Sequence, residues 1–261
     1  EELKDLLELF GLRALVIPDL SDSLDGHLAE EDFSPLTIGG TQVGALRHAG
    51  DSIATLVIGA SMYDTADLLA KKTGVPDYRF DHLMGLAAVD TFVSALTEIA
   101  GEPVPPRLER QRAQLQDAML DTHFMLGQAR FAVAGDPDYL LGIVSFLLEM
   151  GARPWHVLCS RATKKFKKEM DALLETSPFG EGCTTYINKD LWHMRSLLVT
   201  DPVDGIIGDT HAKWAARDAK IPLFRIGFPI IDRVNLHRTP VIGYNGAISM
   251  LSMIANKFLD I

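Results

Sequence analysis

The sequence predicts an α/β protein made of two Rossmann-like units with mostly parallel sheets. Three observations carry this. Short apolar runs recur at residues 53–58, 131–134, 155–160, 205–208 and 223–226. They are continuous rather than alternating, which suits strands buried on both faces of a parallel sheet. Between them lie segments with helical spacing of apolar residues, several closed by a glycine such as Gly74, Gly101 or Gly151. Strand and helix in alternation is the pattern of a layered α/β fold.

The bulk properties fit. A chain of 261 residues allows one large domain or two modest ones. It is 47% apolar and 23% charged, ordinary globular material. A net charge of −10 argues against a nucleic-acid surface, which needs a basic face. Lys164, Lys165, Lys167 and Lys168 are a local exception, but they interleave with Phe166 and Met170 at helical spacing and read as a solvated helix face. No apolar run is long enough for a membrane span. Glu1, Glu2, Lys4 and Asp5 are the wrong composition for a signal peptide.

Cys159 and Cys183 are too far apart for a CxxC pair, and there is no third cysteine. A zinc or iron–sulfur site built by this chain alone is not expected. Both thiols are expected reduced, in a cytoplasmic protein, as small buried hydrophobes.

Residues 1–10 place leucines at 3, 6 and 7 for an amphipathic helix, stopped by Gly11. Residues 12–17 read as a short strand before Pro18. Opening on a helix rather than a strand suggests a fragment whose first unit lacks its first strand. Residues 21–35 are acidic; Asp19, Asp22, Asp25, His27, Glu30, Glu31 and Asp32 fit no calcium-loop spacing and read as solvated loop. Gly39 and Gly40 turn into a short helix at 42–48. A strand at 53–58, a helix at 65–72, a strand at 75–80 and a helix at 84–100 complete the first unit.

Pro103, Pro105 and Pro106 mark a joint. Residues 108–125 form a long charged helix with Leu115, Met119 and Thr122 on one side. It is expected to bridge the halves, with His123 as a packing residue. The predicted division is 1–105, a bridge at 106–126, and 127–261.

The second unit begins with the strand at 131–134 and the helix at 139–150, Asp136 being the expected N-cap. The intervening Gly-Asp-Pro turn lacks GxGxxG and the Walker lysine pattern, so a nucleotide role is unsupported. Strands follow at 155–160, 184–187, 205–208 and 223–226, with helices at 164–175, 190–199 and 212–220 between them. A Gly-Tyr-Asn-Gly segment precedes a last helix at about 247–259. Asp136, Asp209, His211, Asp232, Arg233, His237 and Arg238 fall in loops at the carboxyl ends of strands, where α/β sheets build sites. No GxSxG, HExxH or EF-hand pattern accompanies them, and Ser160 and Ser249 lack a nucleophile context.

Four stretches carry a resemblance. RIGFPIIDRVNLHRTPVIGYNGA at 225–247 and NKDLWHMRSLL at 188–198 are similar to the β-type subunits of the nitrogenase component 1 family. IPDLSDSLDGHLAEEDFSPLTIGGT at 17–41 and RQRAQLQDAMLDTHFML at 110–126 more narrowly resemble the N subunit of the scaffold on which the iron–molybdenum cofactor precursor matures. The resemblance implies a scaffold subunit without a reaction of its own. Its partner would be the α-type E subunit in a heterotetramer, with the nitrogenase iron protein as a transient partner. The alternatives are a catalytic component 1 β chain and the vanadium-system equivalent of the scaffold. An iron–sulfur cluster and a cofactor precursor would belong to the full-length complex; no metal ligand, catalytic or cofactor-binding residue is carried onto this chain. Arg225, Asp232, Arg233, His237 and Arg238 are expected as architectural or interface residues in hydrogen-bonded ion pairs, and Trp192 and His193 as packing or partner contacts.

Overall fold

The structure is a computed structural model that describes residues 1–21 and 39–260. Beyond Ser21, the acidic stretch at 21–35 lies outside the described residues. Two parallel sheets are present among them. Strands β1 (Thr55–Ile58) and β2 (Asp77–Phe80) form the smaller sheet. Strands β3 (Arg130–Ala134), β4 (Arg153–Cys159), β5 (Thr184–Ile187), β6 (Gly205–Gly208) and β7 (Leu223–Arg225) form the larger one, in the order β5-β4-β3-β6-β7. Every pair is parallel, so each connection must cross back over the sheet, and helices supply the crossovers.

The chain opens with α1 (Glu2–Leu9). Helix α2 (Tyr63–Thr73) joins β1 to β2, and α3 (Leu86–Ala100) follows β2. Pro106 opens α4 (Pro106–Leu126), where its missing N–H costs no hydrogen bond. In the larger layer α5 (Pro137–Glu149), α6 (Lys164–Glu175), α7 (Leu191–Thr200) and α8 (Lys213–Ala219) alternate with the strands, and α9 (Gly243–Leu259) ends the described chain.

Burial explains the apolar runs. Phe131, Ala132 and Val133 are fully buried because β3 is the central strand, covered on both faces. On one face α5 buries Leu140, Ile143, Val144 and Leu147; on the other α7 and α8 bury Met194, Leu198, Ala215 and Ala216. Each large apolar side chain so enclosed contributes about 1.5–3 kcal/mol. Helix α9 returns from the larger layer to α3 and α4, and its Phe258 ring stacks 5.8 Å from Phe131. The core is therefore continuous from Leu6 and Phe92 to Ile254. Asp90 of α3 joins this layer by polar contacts, accepting from Arg112 of α4 and from the Tyr244 hydroxyl at 2.6 Å.

Several expectations are corrected. Residues 12–17 are not a strand: none of the described residues pairs with them as a neighbouring strand, and the Val16 carbonyl instead accepts the Thr41 hydroxyl at 2.6 Å. The last helix starts at Gly243 rather than 247: Gly243, with φ 72°, makes the turn into it, and Gly246 serves close packing, lying directly against the Val241 backbone. His123 is exposed, since it falls on the outer side of α4. Cys159 is buried as expected, but Cys183 is only half-buried.

Candidate functional site

In an open parallel sheet the natural ligand crevice lies at the carboxyl ends of the strands, where the strand order reverses. Here that point is between β3 and β6. The loops there are the turn at 135–138, the turn at 209–212, and the long loop from 226 to 242 after β7.

The crevice is closed by the chain's own side chains. The Tyr139 hydroxyl donates to the Ile226 carbonyl at 2.6 Å across it. Asp136 holds the N-cap position of α5, but its side chain makes no capping bond. Asp138, two residues on, turns to Ser61 of the smaller layer. Asp209 accepts the His211 backbone N–H at 2.8 Å and lies 3.1 Å from its Nδ1. Asp209 and His211 are therefore engaged with each other rather than aimed into the crevice.

Asp232 is the hub of the loop. Arg225 donates two hydrogen bonds to its carboxylate, Nε to Oδ1 and Nη2 to Oδ2, both at 2.8 Å. This fork geometry is the strong form of an ion pair. The Thr210 hydroxyl adds a third bond at 3.1 Å, and the Lys213 Nζ lies 3.9 Å away. The Arg225 guanidinium holds the Asp232 carboxyl well below the usual carboxylate range. Arg233 is 3.6 Å from the same carboxylate but half-exposed, and it donates to the Asp232 carbonyl at 2.6 Å. His237 and Arg238 are exposed in the single 3-10 turn Leu236–Arg238. Only the Arg225–Asp232 pair is thus sheltered.

Around this hub the loop presents Phe228, Ile231 and Val234 to solvent, each more than 70% exposed. The network continues along the surface. Lys213 and Arg217 flank the exposed Trp214 ring, at 5.4 and 4.3 Å from its centroid. Asp218 pairs with Arg195 at 2.7 Å, and Arg195 lies over Trp192, which is 71% exposed. His193 turns inward instead, edge-on to Tyr186 at 5.2 Å. Asp190 fixes that turn by accepting the His193 N–H at 3.0 Å. Trp214 was missed in the sequence, although a tryptophan between lysine and arginine at a helix start was a visible signal.

A family model described as "Nitrogenase component 1 type Oxidoreductase" matches residues 1–259. The chain belongs to this family. Among curated relatives, it is 40% identical to the nitrogenase molybdenum-iron protein beta chain of Bradyrhizobium diazoefficiens and 42% identical to that of Rippkaea orientalis. Each match takes in 99% of this chain and 50% of the relative, so the chain spans about half the length of the curated relatives it matches. Among solved structures, a chain of "Nitrogenase Cp1 at pH 6.5" superposes with a TM-score of 0.93 at 36% identity, over 99% of this chain and 56% of that one.

Component 1 proteins are nitrogenase subunits, so metal clusters are implied for the full complex. The cysteines here do not fit as cluster ligands. Cys159 Sγ donates to the Arg161 carbonyl and Cys183 Sγ to the Phe179 carbonyl, each at 3.4 Å. Burial pushes both thiols up, Cys183 to about 11, and the two lie on different elements, Cys159 at the end of β4 and Cys183 just before β5. No group of three or more His, Cys, Asp or Glu poised to hold a metal ion occurs among the described residues. No described helix is long and apolar enough to cross a membrane.

Proposed function

We propose that this chain forms about half of a catalytic nitrogenase component 1 β chain, whose assembly reduces dinitrogen. The observation that carries it is the likeness to molybdenum-iron protein beta chains, 37–42% identical over nearly all of this chain in the examples from Bradyrhizobium, Rippkaea and Azotobacter vinelandii. The role of this half is structural: it positions a partner surface, and the clusters are held elsewhere in the complex. The partner is an α-type chain, two αβ pairs form a heterotetramer, and the nitrogenase iron protein docks transiently. The complex works in the cytoplasm. The division at residues 105 and 126 belongs to the same proposal.

The loop after β7 supports this reading. Arg225 and Asp232 satisfy each other, while Phe228, Ile231 and Val234 in the same loop are exposed. Exposed apolar side chains in one loop with exposed Arg233, His237 and Arg238, linked through the surface ion pairs to Trp192, have the composition of a protein interface. His193 contributes by fixing α7 beneath Trp192.

A second reading is the cofactor-assembly scaffold subunit, in its molybdenum or vanadium form. It rests on the stretch at 110–126, which resembles the scaffold's N subunit. In that case the protein matures a cluster precursor and turns nothing over.

The subunit reading is tested by expressing the full-length gene product with its α-type partner and purifying it anaerobically. Recovery of the partner in a one-to-one ratio supports it. Ile231→Glu with Val234→Glu is expected to cut that recovery at least tenfold. Full recovery with both glutamates in place removes the loop from the interface, and absence of any partner removes the subunit reading itself.

A further inference from the structure

Helix α5 carries the smaller layer on one stripe of its surface. Asp138, Gly142 and Glu149 recur at helical spacing along it, and 3.6 residues per turn brings them within roughly 40° of one line. At the first point Asp138 accepts the Ser61 N–H at 3.1 Å and the Ser61 hydroxyl at 2.5 Å. At the second, the missing side chain of Gly142 lets the chain at His82 and Met84 lie on the helix; a Cβ there would stand 2.8 Å from Met84 Sδ and 3.1 Å from His82 Cβ. At the third, Glu149 Oε2 accepts the Leu86 N–H at 2.8 Å and Oε1 the Ala87 N–H at 2.9 Å. Those two donors are among the groups that the first turn of α3 leaves without helical partners, and a carboxylate there is favoured by the helix dipole as well.

The segment so held, residues 81–87, has a second attachment on its other side. The Leu83 carbonyl accepts the Gly243 N–H at 3.0 Å, at the first residue of α9. Gly243 closes the loop that begins after β7 and contains Asp232. One short segment therefore touches the end of β2, the far end of α5 and the closing residue of the exposed loop. Beside Glu149 lies an open groove of about 340 Å³ lined also by Leu86, Gln116, Met119, His123 and Met150.

We propose that residues 81–87 are a coupling segment through which the Glu149 clasp on the start of α3 sets the position of the loop after β7, with the Asp138–Ser61 contact outside the route. Glu149 is a positioning residue in this arrangement, since it reaches the loop only through Leu83 and Gly243. The link works both ways: whatever holds the loop also tightens the Glu149 clasp. This inference does not depend on whether the whole protein is an enzyme or a scaffold.

The test is amide hydrogen exchange on the full-length protein with its partner, comparing wild type, Glu149→Gln and Asp138→Asn. A glutamine keeps the shape but supplies only one acceptor oxygen for two N–H groups. Glu149→Gln is expected to speed exchange at Leu86 and Ala87 about tenfold and at Gly243 at least threefold, with β3 and α7 unchanged. Asp138→Asn should release Ser61 and leave Gly243 at its wild-type rate. The coupling is overturned if Leu86 and Ala87 do not accelerate, or if they do while Gly243 does not. It is also overturned if every region accelerates together, or if Asp138→Asn moves Gly243 as much as Glu149→Gln does. Gly142→Ala, which lifts the segment without touching a charge, is expected to reproduce the Gly243 effect, and its failure to do so counts against the segment as the route.

Discussion

Arg225 and Asp232 close the loop after β7 on itself, joined by two hydrogen bonds of 2.8 Å between groups seven residues apart. Arg225 is the last residue of the edge strand β7, and its backbone is held by pairing with Gly208 of β6. The loop thereby inherits the rigidity of the sheet, and Phe228 and Ile231 are held out from it rather than collapsing inward.

Asp232→Asn removes the charge but keeps the size. It is expected to lower the thermal midpoint by a few degrees and to speed tryptic cleavage after Arg233 and Arg238 several-fold. Arg225→Lys should do the same, because a lysine cannot form the two-bond fork. Unchanged cleavage in both variants would mean that the pair does not hold the loop.

Tyr244 is buried and donates to Asp90 at 2.6 Å, tying α9 to α3. Tyr244→Phe keeps the ring and loses one hydrogen bond to a charged group, a loss of about 1.5–3 kcal/mol in a urea denaturation series. A change below about 0.5 kcal/mol would show that Arg112 alone satisfies Asp90.

His156 is 2% exposed, and its Nε2–H donates to the Asp201 carbonyl at 3.0 Å. Its Nδ1 has no partner, so a second proton there would be buried unpaired. Burial pushes the imidazole below its ordinary 6.5. The unfolded chain then takes up the proton first as pH falls, so this contribution to stability is whole above about pH 6.5 and declines below it. Melting between about pH 8 and pH 5 should show that decline in wild type, and His156→Phe should flatten it. Parallel profiles would place the acid sensitivity elsewhere.

How much of this was legible in the sequence follows from the physics of each element. The strands of the larger sheet were readable because central parallel strands are apolar throughout, a property of the segment alone. Residues 12–17 have the same composition, but a strand needs a neighbour, and composition does not reveal one. The start of α9 was misplaced because Gly246, which permits close packing, looks like Gly243, which turns the chain. Both members of the Arg225–Asp232 pair stood out in one loop, yet their separation from Arg233 and His237 depends on which way each side chain leaves the backbone. Asp90, Arg112 and Tyr244 could not be joined beforehand, since Asp90 and Tyr244 are 154 residues apart. Glu149 was hidden as the last residue of an apolar helix.

Cys183 is half-buried with its thiol pushed up to about 11. At pH 8 its thiolate fraction is on the order of one in a thousand, so alkylation by iodoacetamide should be slow in the native protein. Peptide mapping of the native and urea-unfolded protein should show labelling at least a hundredfold slower in the native state. Comparable rates would mean that the thiol is open and ionised.

Acetylene reduction by the full-length protein, purified anaerobically with its α-type partner and supplied with iron protein, is the most direct test of the catalytic reading. High turnover, with iron and molybdenum present in the stoichiometry of a mature cofactor, is the expected result. A complex that transfers a cluster precursor to an apo-nitrogenase while reducing little acetylene itself would contradict it, and would make this chain part of an assembly scaffold.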